Sequence, residues 1–202
     1  MRVTGGQYAG RPLKVPSGLD VRPTPDRVRQ AIFNSLGNRI TDAAILELFA
    51  GSGALTFEAI SRGAKHAVCV EKSRHHGSFI LSNSHSLGLG RTEVDVRVQD
   101  VFTAMPQLAS LGTQFDIILA DPPYGEKNVG KRSNSLAQKL LDDPALPRLL
   151  KTEGLLVLGH TKRDTLTLPA TYTEIKEMKH GDTMFRFLCL AEQSIAEILI
   201  NT

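Results

Sequence analysis

From residue 43 onward the chain alternates between short apolar runs and helix-length segments, and this alternation restricts the fold more than any other feature. AAILELF is followed by a glycine turn and ALTFEAISRG, HAVCVE by a helical pattern over residues 73 to 87 that stops at Gly88, and VDVRV by a shorter one over 101 to 109. FDIILA is followed by two helical pieces, 133 to 142 and 145 to 151. Strands that return after helices of this length run parallel, through right-handed crossovers. GLLVLGH adds a fifth strand, and YTEIKEM and TMFRFLCL, joined through a turn at Gly181, add an antiparallel ending. The expected fold is α/β and doubly wound: a seven-stranded, mostly parallel sheet with an antiparallel C-terminal hairpin.

The residues before the alternation obey different rules. MRVTGGQYAGRPLKVPSGLD mixes glycines and two prolines with short apolar stretches, which suits a small β-hairpin extension over residues 1–22. Thr24-Pro25 then reads as a helix start with a hydroxyl cap, leading to Val28, Ile32, Phe33 and Leu36 at helical spacing and stopping at Gly37. The main domain is expected over 23–190, with 191–202 as a tail that is either a short helix or frayed. With 202 residues, 41% of them hydrophobic, one domain and a small appendage have enough apolar mass for a core.

No apolar run approaches the roughly 20 residues of a membrane helix, and Met1 is followed by Arg2 and Thr4, not by an apolar signal core. The expectation is a cytoplasmic protein without membrane association. Cys69 and Cys189 lie in apolar, strand-like segments with no CxxC spacing, so both read as reduced core residues and no metal site is expected. Residues 1 to 40 hold seven basic groups against two acids, whereas the whole chain is only +3. That concentration suits a polyanionic partner near the N-terminus, or simply a solvated basic surface.

The first chemical pattern is LELFAGSGALTFEA. Gly51 and Gly53, between an apolar strand and a helix, let backbone amides approach a ligand at a sheet edge. A dinucleotide fingerprint would place a third glycine at 56, where this chain has Thr56, and Glu47 just before the loop would repel a pyrophosphate. A ligand with positive charge fits better, and S-adenosylmethionine, with its ammonium and sulfonium, is such a ligand. Glu71, 20 residues after Gly51, can accept from a ribose diol, while Asp100 can accept from an adenine amine beside Val101 and Phe102. Each acid alone could be a helix cap or a surface charge. Together, Glu47, Glu71, Asp100 and Asp121 stand at or near the carboxyl ends of four successive strands, the rim where parallel sheets bind ligands.

The second pattern is DPPY, residues 121 to 124. Pro122 and Pro123 fix φ and lack an amide hydrogen, so their carbonyls are free acceptors on a rigid turn. Asp121 and the Pro122 carbonyl can grip both hydrogens of a planar NH2 group, and Tyr124 can stack on the ring that bears it. Such a site would direct an amine lone pair at an electrophilic methyl by positioning and electrostatics, without a strong base. The turn holds no cysteine, which a pyrimidine carbon-5 methylase would need as nucleophile.

These residues, with the opening RVTGGQYAGRPLKVP, the segment RPTPDRVRQAIFNSL and the acid in VEKS, resemble the ribosomal small subunit methyltransferase D family over nearly the whole chain. The RPT…DRVR…FN stretch is the most discriminating part, since class I methyltransferases in general lack it. The resemblance implies a Rossmann-like class I fold, S-adenosylmethionine as cofactor and transfer of methyl to guanine N2 in 16S ribosomal RNA. It implies a cofactor site of Glu47, Phe49, Ala50, Gly51, Ser52, Gly53, Glu71, Lys72, Asp100 and Val101, with Asp121, Pro122, Pro123 and Tyr124 around the target base.

It also makes Arg22, Thr24, Arg27 and Arg29, with Lys127, Lys131 and Arg132 of the basic loop EKNVGKRSNS, candidates for RNA contact or closure of the cofactor site. The implied partner is ribosomal RNA, within the small subunit or an assembly intermediate, and a monomer is expected. Relatives often carry Phe in place of Tyr124, which keeps the stacking surface, and the residues beyond Leu190 match nothing assignable. The residues leave open an adenine-N6 methylase, a glutamine-side-chain methylase of protein, and a non-catalytic RNA-binding assembly factor.

Overall fold

The computed structural model describes residues 1–16, 24–123 and 132–191. Its seven strands form one mixed sheet, and the chain divides into two compact units, one holding Met1–Val101 and the other beginning at Phe102.

In the first unit, three parallel strands lie in the order β3, β2, β1: β1 is Ala44–Leu48, β2 His66–Glu71 and β3 Val94–Val98. β1 and β2 are almost entirely buried, which is why they read as continuous apolar runs and not as alternating ones. Leu48 pairs with Val70 and Glu71 with Val98, so the three carboxyl ends are in step and the loops that follow them open at one rim. The helices are α1 (Asp26–Leu36), α2 (Ala54–Ser61) and α3 (Arg74–Ser86), with a 3-10 turn at Gly37–Ile40. The expected helix stops hold: Gly63 and Gly88 take φ of 103° and 73°, a region glycine enters without a Cβ penalty.

The start of α1 differs from the sequence reading. Its cap residue is Pro25, whose carbonyl accepts from the Val28 and Arg29 amides, and no side chain caps it. The Thr24 hydroxyl is not the cap; instead the Thr24 carbonyl accepts from Arg29 Nη1 at 2.7 Å.

Among the described residues 1–16, the N-terminal extension is a hairpin with one antiparallel bridge, Arg2 to Pro12, supported by the Val3 and Leu13 amides donating to the Arg11 and Met1 carbonyls; residues 17–22 of the expected extension lie outside the described residues. It is tied down by a buried ionic cluster. Glu58 of α2 accepts from the Thr4 amide (2.8 Å), the Thr4 hydroxyl (2.7 Å) and Arg62 Nε (2.8 Å), and Arg29 Nε lies 3.8 Å from it.

Helix α4 (Val101–Ser110), all but its first residue in the second unit, leads into β4 (Phe115–Ala120), then α5 (Leu136–Asp142), α6 (Leu146–Leu149), β5 (Leu150–Thr161), β6 (Tyr172–His180) and β7 (Thr183–Leu190). β4 and β5 are parallel, and β7 runs antiparallel between β5 and β6. Two bounds differ from expectation. Strand β5 starts at Leu150, not at Gly154, because a bulge takes up the intervening residues: Glu153 sits at φ 64° and the register slips between Phe115 and Ile117. Helix α5 starts three residues later than expected, where the Ser135 hydroxyl accepts from the Gln138 amide.

Cys69 and Cys189 are fully buried, as their apolar contexts implied, and are not joined in a disulfide. Among the described residues, no helix is long and apolar enough to cross a membrane and no His, Cys, Asp and Glu cluster could hold a metal.

Candidate active site

The loop after β1 is built from left-handed residues. Phe49, Gly51 and Gly53 take φ of 59°, 56° and 74°. Glycine does so freely, but Phe49 is held there against its preference, the kind of local strain that collects at ligand sites. Ala50 donates to the Val70 carbonyl (3.1 Å) and Gly53 to the Ala50 carbonyl (2.8 Å), fixing the loop on its neighbour. The two glycines then do different work. A side chain on Gly51 would meet open space, so this point of the backbone is bare towards the outside. A Cβ on Gly53 would lie 2.9 Å from Phe57 and 3.1 Å from Ile80, so Gly53 allows helix and loop to close on each other.

Three acids surround this loop. Glu47, 3% exposed, accepts from the Thr56 amide at 2.9 Å, placing a carboxylate at the amino end of α2, whose cap residue Gly53 has no side chain to offer. Its charge and the burial of Cys69 keep that thiol well above its usual pKa, burial being the larger cause; Thr56 Oγ1 lies 3.1 Å from the sulfur. Glu71 holds two loops at once, taking the Gly51 amide on Oε2 and the Ser73 amide on Oε1, both at 2.8 Å, with His76 Nδ1 3.5 Å away. Asp100, after β3, pairs with the exposed Lys72 at 3.3 Å, and Val101 beside it is buried. Ser52 is buried, and its carbonyl accepts from Asn83.

Asn83 was not signalled by the sequence. Its side-chain amide takes the Lys14 amide (2.8 Å) and donates to the Lys14 carbonyl (2.8 Å) and the Ser52 carbonyl (3.3 Å), linking the N-terminal hairpin to the glycine loop. A polar residue on an exposed-looking helix gives no sequence cue for this.

Arg29 corrects the sequence reading. It is 0% exposed and donates to the Arg2 and Thr24 carbonyls and to Asp26, so its guanidinium holds the hairpin to α1 and is closed to RNA. The signal was present: Arg29, Phe33 and Leu36 follow the spacing of the buried stripe of α1. Arg27 is exposed. Arg132 is also exposed but engaged, with Nη2 2.7 Å from both oxygens of Asp142, which holds that carboxyl below its usual pKa. Arg22, Tyr124, Lys127 and Lys131 lie outside the described residues.

In the second unit, Asp121, Pro122 and Pro123 follow β4 directly; Asp121 is half-buried, Pro122 buried and Pro123 exposed. The Asp121 carboxylate occupies the space a side chain at Gly159 would need: a Cβ there would sit 2.5 Å from Oδ1 and 2.9 Å from Phe185. Beside the prolines runs a narrow groove, lined also by Ser135, Ala137, His160, Thr161 and Asp164. The His160 ring is buried; its Nδ1 lies 3.0 Å from the Thr161 carbonyl, and burial, then the charge of Arg186, hold its pKa below the usual histidine value.

The family model described as Conserved hypothetical protein 95 matches residues 1–189. Ribosomal RNA small subunit methyltransferase D of Escherichia coli (strain K12) is 36% identical over 187 residues, 92% of this chain and 88% of that protein. YlbH of Bacillus subtilis (strain 168) is 33% identical over 175 residues, 87% of this chain and 89% of its own. Among solved structures, the Escherichia coli protein yhhF superposes with a TM-score of 0.78 at 32% identity, covering 96% of this chain and 99% of that one.

Proposed function

The chain belongs to the ribosomal RNA small subunit methyltransferase D family, and from that premise we propose that it methylates the exocyclic N2 amine of a guanine in 16S ribosomal RNA with S-adenosylmethionine as donor. The donor supplies an electrophilic methyl on a sulfonium, so the protein's part is to bind, orient and shield. The acids of the first unit fit such a ligand. Glu71, Asp100 and the bare backbone at Gly51 would hold its hydroxyls and adenine, Phe49 and Val101 would flank it, and Glu47 would set a negative field for its cationic end. The glycine loop itself, residues 49–53, contains no Lys or Arg that would meet a pyrophosphate.

The observation that carries the amine chemistry is Asp121, seated over the side-chain-free Gly159 at the end of β4 and followed by two prolines. A carboxylate and a proline carbonyl fixed on a rigid turn are acceptors for two hydrogens of one NH2 group. Taking both hydrogens turns the nitrogen lone pair out of the ring's π system, which prepares it as a nucleophile; the released proton passes to solvent or to Asp121. Ribosomal RNA, in the small subunit or an assembly intermediate, is the proposed partner. Arg27 is the exposed basic residue of α1 available to its phosphates, and the protein acts as a monomer. A stacked guanine would have to be extruded to reach the corner.

The test is Asp121→Ala, assayed for methyl incorporation into small-subunit particles and for S-adenosylmethionine affinity by calorimetry. Methyl transfer is lost and cofactor affinity kept. Equal loss of both would assign the acid to the cofactor, and wild-type methylation of naked DNA in preference to the particles would overturn the RNA assignment.

A further inference from the structure

The glycine loop rests on the buried face of α3, and one side chain of that face also holds the N-terminal hairpin. Glu71, just before α3, takes the Gly51 amide, and Ile80 lies 3.1 Å from where a Cβ on Gly53 would stand. Asn83, three residues after Ile80 on the same face and 1% exposed, supplies the link at Ser52. Its Oδ1 accepts from the Lys14 amide at 2.8 Å, while Nδ2 donates to the Lys14 carbonyl at 2.8 Å and to the Ser52 carbonyl at 3.3 Å. One acceptor and two donors on a short planar group are what a carboxamide offers, and all three are engaged; aspartate has no such donors. The hairpin is also held around this point, since Lys14 Nζ reaches the Ser82 hydroxyl and Arg11 Nη2 the Ser86 carbonyl.

Ser52 is buried and sits between two left-handed glycines. A buried carbonyl that loses its donor costs free energy, so the loop is more stable in this form while Asn83 bonds Ser52. The two bonds to Lys14 in turn orient the Asn83 amide. Order at Lys14 and order in the glycine loop therefore favour each other, and a ligand that selects the ordered loop must, by linkage, steady Lys14 as well.

We propose that Asn83 is a positioning residue of the cofactor site: it acts through Ser52 and couples the hairpin backbone at Lys14 to affinity for S-adenosylmethionine. This rests on the reading that the donor binds at the glycine loop, and it gives the hairpin a part in cofactor binding at one remove. All the groups involved belong to the first unit.

The test compares Asn83→Leu, which keeps the branched shape without polar atoms, with Leu36→Ala, a core change on α1 that lowers stability by another route. Calorimetry is run at a temperature where thermal melts show both variants folded. Asn83→Leu binds S-adenosylmethionine about tenfold more weakly, and Leu36→Ala binds it as the wild type does. In methyl transfer to small-subunit particles, Asn83→Leu raises KM for the donor by about the same factor and keeps kcat, a split that loss of stability alone does not produce. Hydrogen exchange followed by NMR tests the unaltered protein, whatever the fate of the variants. Saturating S-adenosylmethionine slows exchange of the Lys14 amide by about fivefold or more. That response disappears in Asn83→Asp, which keeps an acceptor for the Lys14 amide but has no donor for Ser52.

Wild-type affinity and KM in Asn83→Leu, equal weakening in Leu36→Ala, or a Lys14 amide indifferent to bound donor in the wild-type protein overturns this inference and spares the functional reading. Absence of S-adenosylmethionine binding by the wild-type protein overturns the functional reading itself.

Discussion

Replacing Gly159 with alanine tests how tightly the proposed catalytic carboxylate is placed. The backbone at 159 is outside the left-handed region, so alanine meets no φ penalty and the effect is purely one of space. Its methyl carbon would stand 2.5 Å from Asp121 Oδ1, 3.1 Å from Asp121 Cγ and 2.9 Å from Phe185 Cε1. Ordinary contact is about 3.5 Å, so the carboxylate must retreat by about 1 Å unless the Phe185 ring gives way. The Phe185 ring also crowds the methyl, and β5 is held on both sides by β4 and β7, so the carboxylate moves.

A misplacement of about 1 Å in a positioning group costs on the order of 100-fold in rate, whereas overpacking of this size costs about 1–3 kcal/mol in stability. The expected outcome is a folded protein with normal S-adenosylmethionine affinity and methyl transfer to small-subunit particles reduced about 100-fold. The assay pairs radiolabelled methyl incorporation with calorimetry and a thermal melt. Full activity in a folded Gly159→Ala protein would refute the claim that Asp121 must sit where Gly159 lets it.

The remaining predictions concern charge. Arg29→Met removes the buried donor of the Arg2 and Thr24 carbonyls while Arg62 stays on Glu58, and is expected to cost about 1–3 kcal/mol in urea unfolding, whereas Arg27→Ala leaves stability unchanged and lowers the salt slope of RNA binding by about one. Glu71→Gln replaces the carboxylate held by the Gly51 and Ser73 amides and weakens S-adenosylmethionine binding about ten- to hundredfold by calorimetry. His160 titrates below its usual 6.5 in the folded chain, because burial and Arg186 disfavour its charged form. Between the folded value and about 6.5 the unfolded chain therefore binds more protons. Its contribution to stability is complete above about pH 6.5 and is lost as pH falls through the folded value. Urea midpoints measured across that window fall with acidification, and less so in His160→Phe.

Much of the fold was legible because parallel strands are buried on both faces. AILEL and HAVCVE could scarcely be anything else once glycines stopped the helices after them. The places that escaped are those where a distant partner overrides the local pattern. Nothing near Leu150 announces that a bulge at Glu153 lets the strand begin four residues before GLLVLGH, since the bulge exists only relative to β4. Thr24 had the right chemistry for a cap, but Arg29 claims its carbonyl and the helix begins after Pro25.

The candidate site shows the same division. Acids at strand ends were legible because strand ends are, and the register of β1, β2 and β3 brings Glu71 and Asp100 to one rim. What each acid grips was not, because Glu47 and Glu71 spend their oxygens on backbone amides nine and twenty residues away. That dual duty gives the loop its definition. An acid that orders the Gly51 backbone and is proposed to meet the ligand would couple the two, since its bond to the Gly51 amide is one of those that hold the loop. The N-terminal hairpin enters the same arrangement from behind, through Asn83 on Ser52. Basic residues at the N-terminus therefore need not touch the cofactor to affect it: whatever orders the backbone at Lys14 also steadies the loop at Ser52, by way of one buried amide.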